Sequence, residues 1–134
     1  RDIDGFGGLG TKVPVYTGIM TISCLASLGL PGLAGFVSEF MCFLGGFPVF
    51  KLITILSITG VVITAAYFLI MIQKIFLGPL NEKWKDLPDM NKRELVATIP
   101  LLILMVLLGV APAIITSLSD ITVQNLVKLL GVNL

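Results

Sequence analysis

The sequence lacks histidine and is poor in charge and in cysteine. Without an imidazole, a histidine-based catalytic triad and a histidine-ligated zinc site are both excluded. The two cysteines, Cys24 and Cys42, lie in apolar segments at a spacing that fits neither a disulfide scaffold nor a CxxC metal site. Charged residues make up only 13% of the 134 residues, and the net charge of +1 gives no sign of nucleic-acid binding.

Apolar residues dominate what is present. They form 56% of the sequence, and the mean hydropathy is +1.03. Ordinary soluble domains carry about a quarter charged residues, which help to cover their apolar core. This chain has too few polar residues to build such a cover, so we predict an all-α integral membrane protein.

Charges are missing from three long stretches of the chain. These are 13–50, in which Glu39 is the exception, 52–73 and 95–119. The apolar core of a bilayer is about 30 Å thick and needs about 20 helical residues to cross it. We therefore predict the following segments: a connecting segment at 1–12, a broken transmembrane helix at 13–47, transmembrane helices at 52–77 and 95–118, a polar loop at 78–94, and a tail with a short interfacial helix at 119–134.

The distribution of lysine and arginine predicts the orientation. If 13–47 crosses the membrane once, seven of these residues share one side and two share the other. The seven are Arg1, Lys12, Lys74, Lys83, Lys85, Lys92 and Arg93, and the two are Lys51 and Lys128. The positive-inside rule then places the loop at 78–94 in the cytoplasm and the tail at 119–134 outside.

Proline and glycine interrupt the first apolar stretch near its middle. Pro31 removes a backbone donor, and Gly32 and Gly35 make it easier to leave helical geometry. We predict half-helices at 15–30 and 36–45, joined by an unwound link at 31–35 that is buried in the protein, as in transporters with broken helices. The alternative is a tight hairpin between two full spans, since Pro-Gly also forms turns. The hairpin would place Arg1 and Lys12 on the side opposite the loop at 78–94 and so make the lysine and arginine counts less unequal. The positive-inside rule therefore favours the broken helix.

Glu39 is the candidate for chemistry. It is the only charge in the first apolar stretch, and it lies one helical turn after Gly35. A charge at the bilayer centre costs about 3 kcal/mol on insertion scales, so such a residue normally faces protein or water. Removal from water favours the neutral carboxyl, which can then take up and release protons. The alternative is a glutamate near an interface, or one that pairs with a lysine of another chain.

Hydroxyl side chains are candidates for lining a proton path. They are Ser38, Thr54, Ser57 and Thr64. The last three recur at helical spacing on the helix at 52–77, and Val61 completes their face. Small hydroxyl residues also mark close helix packing, with Gly60 and Thr64 as a small-xxx-small pair, so both interpretations stay open.

The sequence around Glu39 resembles that of a known family. The run from Ala26 to Phe40, ASLGLPGLAGFVSEF, is similar to the antiporter-like subunits of respiratory complex I, and more narrowly to the M-type subunit. Further similarity lies in GGL at 7–9, FLGPLNEKW at 76–84 and DMNKREL at 89–95. The resemblance implies that the broken helix carries the ionisable residue of the outward half-channel. That residue is glutamate in the M-type and lysine in the L- and N-type subunits, so Glu39 points to the M-type.

The resemblance also implies a function. The chain would be the C-terminal part of a proton-translocating membrane-arm subunit of an NADH:quinone oxidoreductase, with Glu39 as proton relay. No redox centre, metal or cofactor is then expected in this chain, and NADH, FMN, iron–sulfur clusters and quinone would be bound by partner subunits. Expected partners are other membrane subunits, including the L- and N-type, and the lipid bilayer, with no nucleic acid. The expected location is the bacterial plasma membrane, in preference to the mitochondrial inner or thylakoid membrane.

Two other functions stay open. The chain could be a subunit of a multisubunit cation/proton antiporter or a membrane-bound hydrogenase, although the corresponding antiporter subunits usually carry lysine where this chain has Glu39. It could also be a non-catalytic packing module whose broken helix is only structural. Because subunits of this family are much longer, we expect the chain to be a C-terminal fragment or a split-gene product that associates with the N-terminal part of the same subunit.

Overall fold

The computed structural model describes residues 3–129 as a set of helices. The α-helices in this part of the chain are α1 (Pro14–Ser27), α2 (Ala34–Gly46), α3 (Lys51–Phe76), α4 (Lys92–Val110) and α5 (Ala113–Leu129). Short 3-10 helices lie at Ile3–Gly5, Leu9–Thr11 and Glu82–Trp84. No strand occurs among the residues from 3 to 129, and the predicted all-α class is confirmed. The ends of the predicted connecting segment and tail, 1–2 and 130–134, lie outside the described residues.

The helices are strongly apolar on their surfaces. By length and composition, α3 with 26 residues and α4 with 19 are each able to cross a membrane. Large side chains along both helices are exposed, for example Leu52 at 72% and Val96 at 71%. Apolar surface of this extent is expected to lie in lipid or against further protein. These features are those of a multi-pass membrane protein.

The helices α1 and α2 run in the same direction, one after the other. The start of α1 lies at the end of α3, where Val13 packs in a buried cluster with Phe76. The end of α2 lies at the start of α3, where Gly46 is against Thr54. Between Thr54 and Phe76, α3 is about 33 Å long at 1.5 Å per residue, close to the thickness of one bilayer core. A hairpin would return the end of α2 to the start of α1, so the broken helix is the observed fold.

The helix break lies earlier in the chain than predicted. Residues 28–33 form the link between α1 and α2, whereas the prediction was 31–35. Pro31 and Gly32 lie in the link, as predicted. The placement of Gly35 in it is wrong, because this residue belongs to the first turn of α2.

The early break has a local cause at the end of α1. Leu30 N donates to Leu25 O at 3.1 Å, and Gly29 N donates to Ala26 O at 3.2 Å. This pair of bonds is the Schellman motif, which needs a left-handed residue, and Gly29 has φ +74°. The helix therefore ends at the glycine before Pro31 is reached.

The link is only partly buried. Leu33 is 9% exposed, whereas Leu30, Pro31 and Gly32 are exposed on the surface of the described part of the chain. Among the described residues, only the α2 end of the link is buried, and burial of the preceding turn stays a prediction.

Two helices replace the helix predicted at 95–118. Ala111 and Pro112 separate α4 from α5, which continues into the predicted tail. Pro112 has no backbone N–H and restricts the residue before it, and Ala111 has φ −123° and ψ 65°. Pro100, in contrast, is accommodated inside α4. The apolar segment is therefore divided at the second proline only.

The loop after α3 is fastened to the segment before α1. Gly5 O accepts hydrogen bonds from Asn81 Nδ2 at 3.0 Å and from Trp84 Nε1 at 3.1 Å. Phe6 stacks on Trp84 with ring centroids 5.1 Å apart. Trp84 also packs against the buried apolar cluster of Leu9, Val13 and Phe76. These contacts hold the end of α3 beside the start of α1.

Candidate functional site

Glu39 lies on the second turn of α2, beside the link. A Cβ added to Gly29 would be 2.5 Å from Glu39 Oε2 and 3.1 Å from Glu39 Cδ. The carboxyl group therefore lies directly over the backbone of Gly29, and a Cβ there would push this side-chain end aside. Gly29 thus ends α1 in the left-handed conformation and also accommodates the carboxyl.

The Glu39 carboxyl has no fixed polar partner in the described part of the chain. The residue is half-buried, and its carboxyl forms no hydrogen bond or ion pair with any residue from 3 to 129. It lies about 10 Å along the helix axis from the end of α2 at Gly46, rather than at a helix end. Within the described residues, its surroundings are therefore the backbone of Gly29 and the open surface beside the link.

The candidate hydroxyl residues of α3 do not form one continuous lining. Thr54 is 6% exposed and Thr64 is half-buried, whereas Ser57 is exposed. Each donates its hydroxyl hydrogen to a carbonyl of the preceding turn, at 2.9, 3.0 and 2.9 Å respectively. Their donors are occupied by their own helix, so their oxygens are what remains to accept hydrogen bonds from water.

Ser38 lines a cavity that Glu39 does not reach. The cavity has a volume of about 190 Å³ and lies between α2 and the junction of α4 and α5. Its lining is apolar apart from Ser38 and Thr116, whose hydroxyls donate to Gly35 O and Pro112 O. The structure therefore does not bring Ser38 together with Glu39, although the two are neighbours in sequence.

Two further glycines hold the break close to its neighbours. Gly35 of α2 lies against Ala26 O of α1, and Gly109 of α4 lies against the backbone of Gly32 and Leu33. A Cβ at either glycine would overlap those backbone atoms. The break is therefore packed backbone to backbone on both α1 and α4.

Sequence reasoning missed Gly29 and Gly109. Gly29 had a detectable signal, because a glycine followed shortly by Pro31 is typical of a helix C-terminus. Gly109 had none, since a glycine inside an apolar helix also occurs without a close contact. Gly60 is such a case, with nothing within 4 Å of the position of a Cβ.

Glu39 is the only acidic or basic residue in α1 and α2. No group of three or more histidine, cysteine, aspartate or glutamate residues that could hold a metal ion occurs in the part of the chain that the structure describes. Cys24 is buried and Cys42 is exposed, and both are free thiols. Glu39 is therefore the residue of the broken helix on which a functional proposal can be based.

Comparison with known proteins shows what this chain is similar to. Residues 1–65 match the family model described as NADH:quinone oxidoreductase/Mrp antiporter, transmembrane. The helical fold agrees with the transmembrane character that this description names.

Curated relatives give the closer similarity. The NADH-quinone oxidoreductase subunit M of Rhodobacter capsulatus is 37% identical over 129 residues, which are 96% of this chain and 25% of the relative. Subunit M of Mycobacterium tuberculosis (strain ATCC 25618 / H37Rv) is 33% identical over 131 residues, covering 98% and 24%. The NAD(P)H-quinone oxidoreductase chain 4 2 of Synechococcus sp. (strain JA-3-3Ab) is 36% identical over 139 residues, covering 96% and 26%.

The similarity extends over nearly the whole chain. The chain resembles the C-terminal part of an M-type subunit, which confirms the resemblance inferred from the sequence around Glu39. It spans about a quarter of the length of the curated relatives that it matches.

Proposed function

We propose that this chain forms the C-terminal part of a proton-translocating membrane-arm subunit of an NADH:quinone oxidoreductase. Quinone reduction in partner subunits drives proton pumping, and Glu39 relays protons toward the outer surface. The chain itself holds no redox centre, and NADH, FMN, iron–sulfur clusters and quinone are bound elsewhere in the complex. Its partners are the preceding part of the same subunit and other membrane subunits, including the L- and N-type, in a bacterial plasma membrane.

The placement of the Glu39 carboxyl carries this proposal. The carboxyl lies over Gly29 at the helix break, about two helical turns from the end of α2, and no described residue holds it by a hydrogen bond. A carboxylate in apolar surroundings is unfavourable unless it has protein or water partners. A half-buried carboxyl whose partner is water suits a group that is protonated and deprotonated in turn.

The levels of the hydroxyl residues along α3 are compatible with the proposed water route. The helices α2 and α3 run in opposite directions, and Gly46 of α2 lies against Thr54 of α3. Two turns from Gly46 lead to Glu39 and two turns from Thr54 lead to Val61, so Glu39 and Val61 lie at about the same level. Thr64 lies one turn further, at the level of the link. The oxygens of Thr54 and Thr64 are available as acceptors on either side of Glu39, so both are proposed to line the path. Ser38 and Ser57 remain weaker candidates, because Ser38 lines a separate cavity and Ser57 is exposed.

A cation/proton antiporter is the second candidate function. The description of the matching family model names an antiporter beside the oxidoreductase. Both functions use a titratable residue in the broken helix, and they differ in whether ion transport depends on quinone reduction. The packing-module alternative differs from both, since it assigns no transport role to Glu39.

The test of the proposed relay is the substitution Glu39→Gln. An amide keeps the size of the side chain and most of its hydrogen bonding, but it cannot take up a proton. We expect normal assembly, a several-fold loss of proton pumping, and a parallel loss of quinone reduction because the two are coupled. The measurement is proton uptake and quinone reduction in membranes with confirmed subunit levels.

Glu82→Gln is the matched control for this substitution. Glu82 lies in the polar loop and is exposed, so the same chemical change there should leave pumping unchanged. Near-normal pumping by Glu39→Gln would contradict the relay role. Lost cation transport with no dependence on quinone reduction would instead support the antiporter.

The proposed topology places the loop at 78–94 in the cytoplasm and the segment from 119 onward outside. Asn81→Cys and Ser119→Cys, each made in a chain with Cys24 and Cys42 replaced by alanine, should therefore react with a membrane-impermeant thiol reagent from opposite sides of sealed vesicles. The reason is that α4 separates the two positions. Labelling of both cysteines from the same side would show that α4 does not cross the membrane.

A further inference from the structure

The helix α1 takes its N-terminal cap from a distant loop. The residue before it, Val13, provides no side-chain cap, and Pro14 has no backbone N–H. Val15 N donates to Asp89 Oδ2 at 3.0 Å, and Tyr16 N donates to Asp89 Oδ1 at 3.2 Å. A carboxylate bonded to the free N–H groups of a helix N-terminus stabilises that end and complements the helix dipole. Asp89 thus caps a helix that lies far from it in sequence.

The same carboxylate joins α1 to the start of α4. Met90 N donates to Asp89 Oδ1 at 2.7 Å, and the next residue, Asn91, is the N-cap of α4. Partial desolvation raises the pKa of the Asp89 carboxyl, but the N–H groups of Met90, Val15 and Tyr16 outweigh it and hold that pKa below its ordinary value. Asp89 is therefore charged at neutral pH and bonded on both sides.

The helix α1 extends from this cap to the relay site. It has 14 residues and is about 21 Å long, and the Schellman motif at its other end places Gly29 under the Glu39 carboxyl. At the same end, Ala26 O lies against Gly35 of α2. Because α1 is a continuous helix, a shift along its axis or a rotation at its N-terminus also displaces Gly29, over which the Glu39 carboxyl lies.

We propose that Asp89 is a positioning residue for Glu39 and acts through α1. The inference rests on the proposed relay function and adds a loop residue that touches neither the carboxyl nor the candidate hydroxyls. Asp89 sets where α1 begins, and α1 in turn sets the position of Gly29 beneath Glu39.

The experiment compares Asp89→Ala and Asp89→Asn with wild type in intact membranes. The readout is the ratio of the proton-pumping rate to the amount of assembled subunit, with quinone reduction measured alongside it. Asp89→Ala removes both bonds to α1, and we expect a several-fold lower ratio. Asp89→Asn keeps one carbonyl oxygen that can accept one of the two bonds, so we expect an intermediate ratio.

Asp86→Ala is the matched control. Asp86 is an exposed aspartate in the same loop that forms no side-chain hydrogen bond or ion pair with residues 3–129, so its removal should leave the ratio unchanged. A merely structural role for Asp89 would lower the amount of assembled subunit and leave the ratio unchanged, and that result would overturn the proposal. If Asp89→Ala does not assemble, a wild-type ratio in Asp89→Asn overturns it.

Glu39→Gln, measured in the same membranes, distinguishes failure of the positioning role from failure of the proposed relay function. Normal pumping in Glu39→Gln shows that the relay function itself is wrong. Impaired pumping in Glu39→Gln together with normal ratios in both Asp89 variants shows that only the positioning role is wrong.

Discussion

Gly109→Ala is expected to cause a large loss of folded, assembled subunit, although alanine is the better helix former. In an exposed helix interior this change would be favourable by about 1 kcal/mol. At Gly109, however, the added Cβ would overlap backbone atoms of Gly32 and Leu33, which have no flexible side-chain end that could move aside. Overpacking of this kind costs about 1–3 kcal/mol, so the link must move away from α4. The contact between the break and its neighbouring helix is then lost.

Gly60→Ala is the matched control for this prediction. Gly60 lies inside α3, and a Cβ there meets nothing within 4 Å in the described part of the chain. The measurement is the amount of subunit in purified membranes, together with the thermal midpoint of the solubilised complex. Gly109→Ala should lower both and Gly60→Ala should not. Equal behaviour of the two variants would mean that the approach of the link to α4 contributes nothing to stability.

The membrane class and the longest helix were predictable from the sequence because both follow from local composition. The predicted helix at 52–77 agrees closely with α3, since Lys51 and the polar loop after it limit the apolar stretch on both sides. The same reasoning predicted a break near Pro31. Predicting these features does not require knowledge of the contacts between helices.

The boundaries of the break were less predictable, since two different residues are able to end a helix. Pro31 is the stronger helix breaker, but Gly29 comes first and already ends α1 with its own hydrogen bonds. Gly35 then joins α2 because its small size serves the approach to α1 and not a flexible link. The sequence alone does not show whether a glycine ends a helix, belongs to a flexible link or allows close packing.

Contacts between distant segments were not predictable at all. Asp89 in the sequence looks like an ordinary loop aspartate, and only the fold shows that it caps α1. Glu39 was identified from the cost of a charge in an apolar segment, which is a local property. Its contact with Gly29 depends on the path of the link and needed the structure.

Glu39→Lys is expected to pump protons several times better than Glu39→Met. The two replacements have similar length, and they differ in whether the end of the side chain can bind a proton. A lysine amine in apolar surroundings gives up its proton more readily than in water, so it is able to exchange protons as the carboxyl does. The resemblance of the sequence around Glu39 to the antiporter-like subunits also implies lysine at this position in the L- and N-type.

Glu39→Ala completes the series, because it removes both the titratable group and the bulk over Gly29. It should pump no better than Glu39→Met, and the expected order is glutamate first, lysine second, and methionine and alanine last. The measurement is the rate of proton uptake, at matched subunit levels in the same membranes. If methionine supports pumping as well as lysine, the size of the side chain is what matters at this position. Glu39 would then be a packing residue at the helix break, and its proton affinity would have no part in transport.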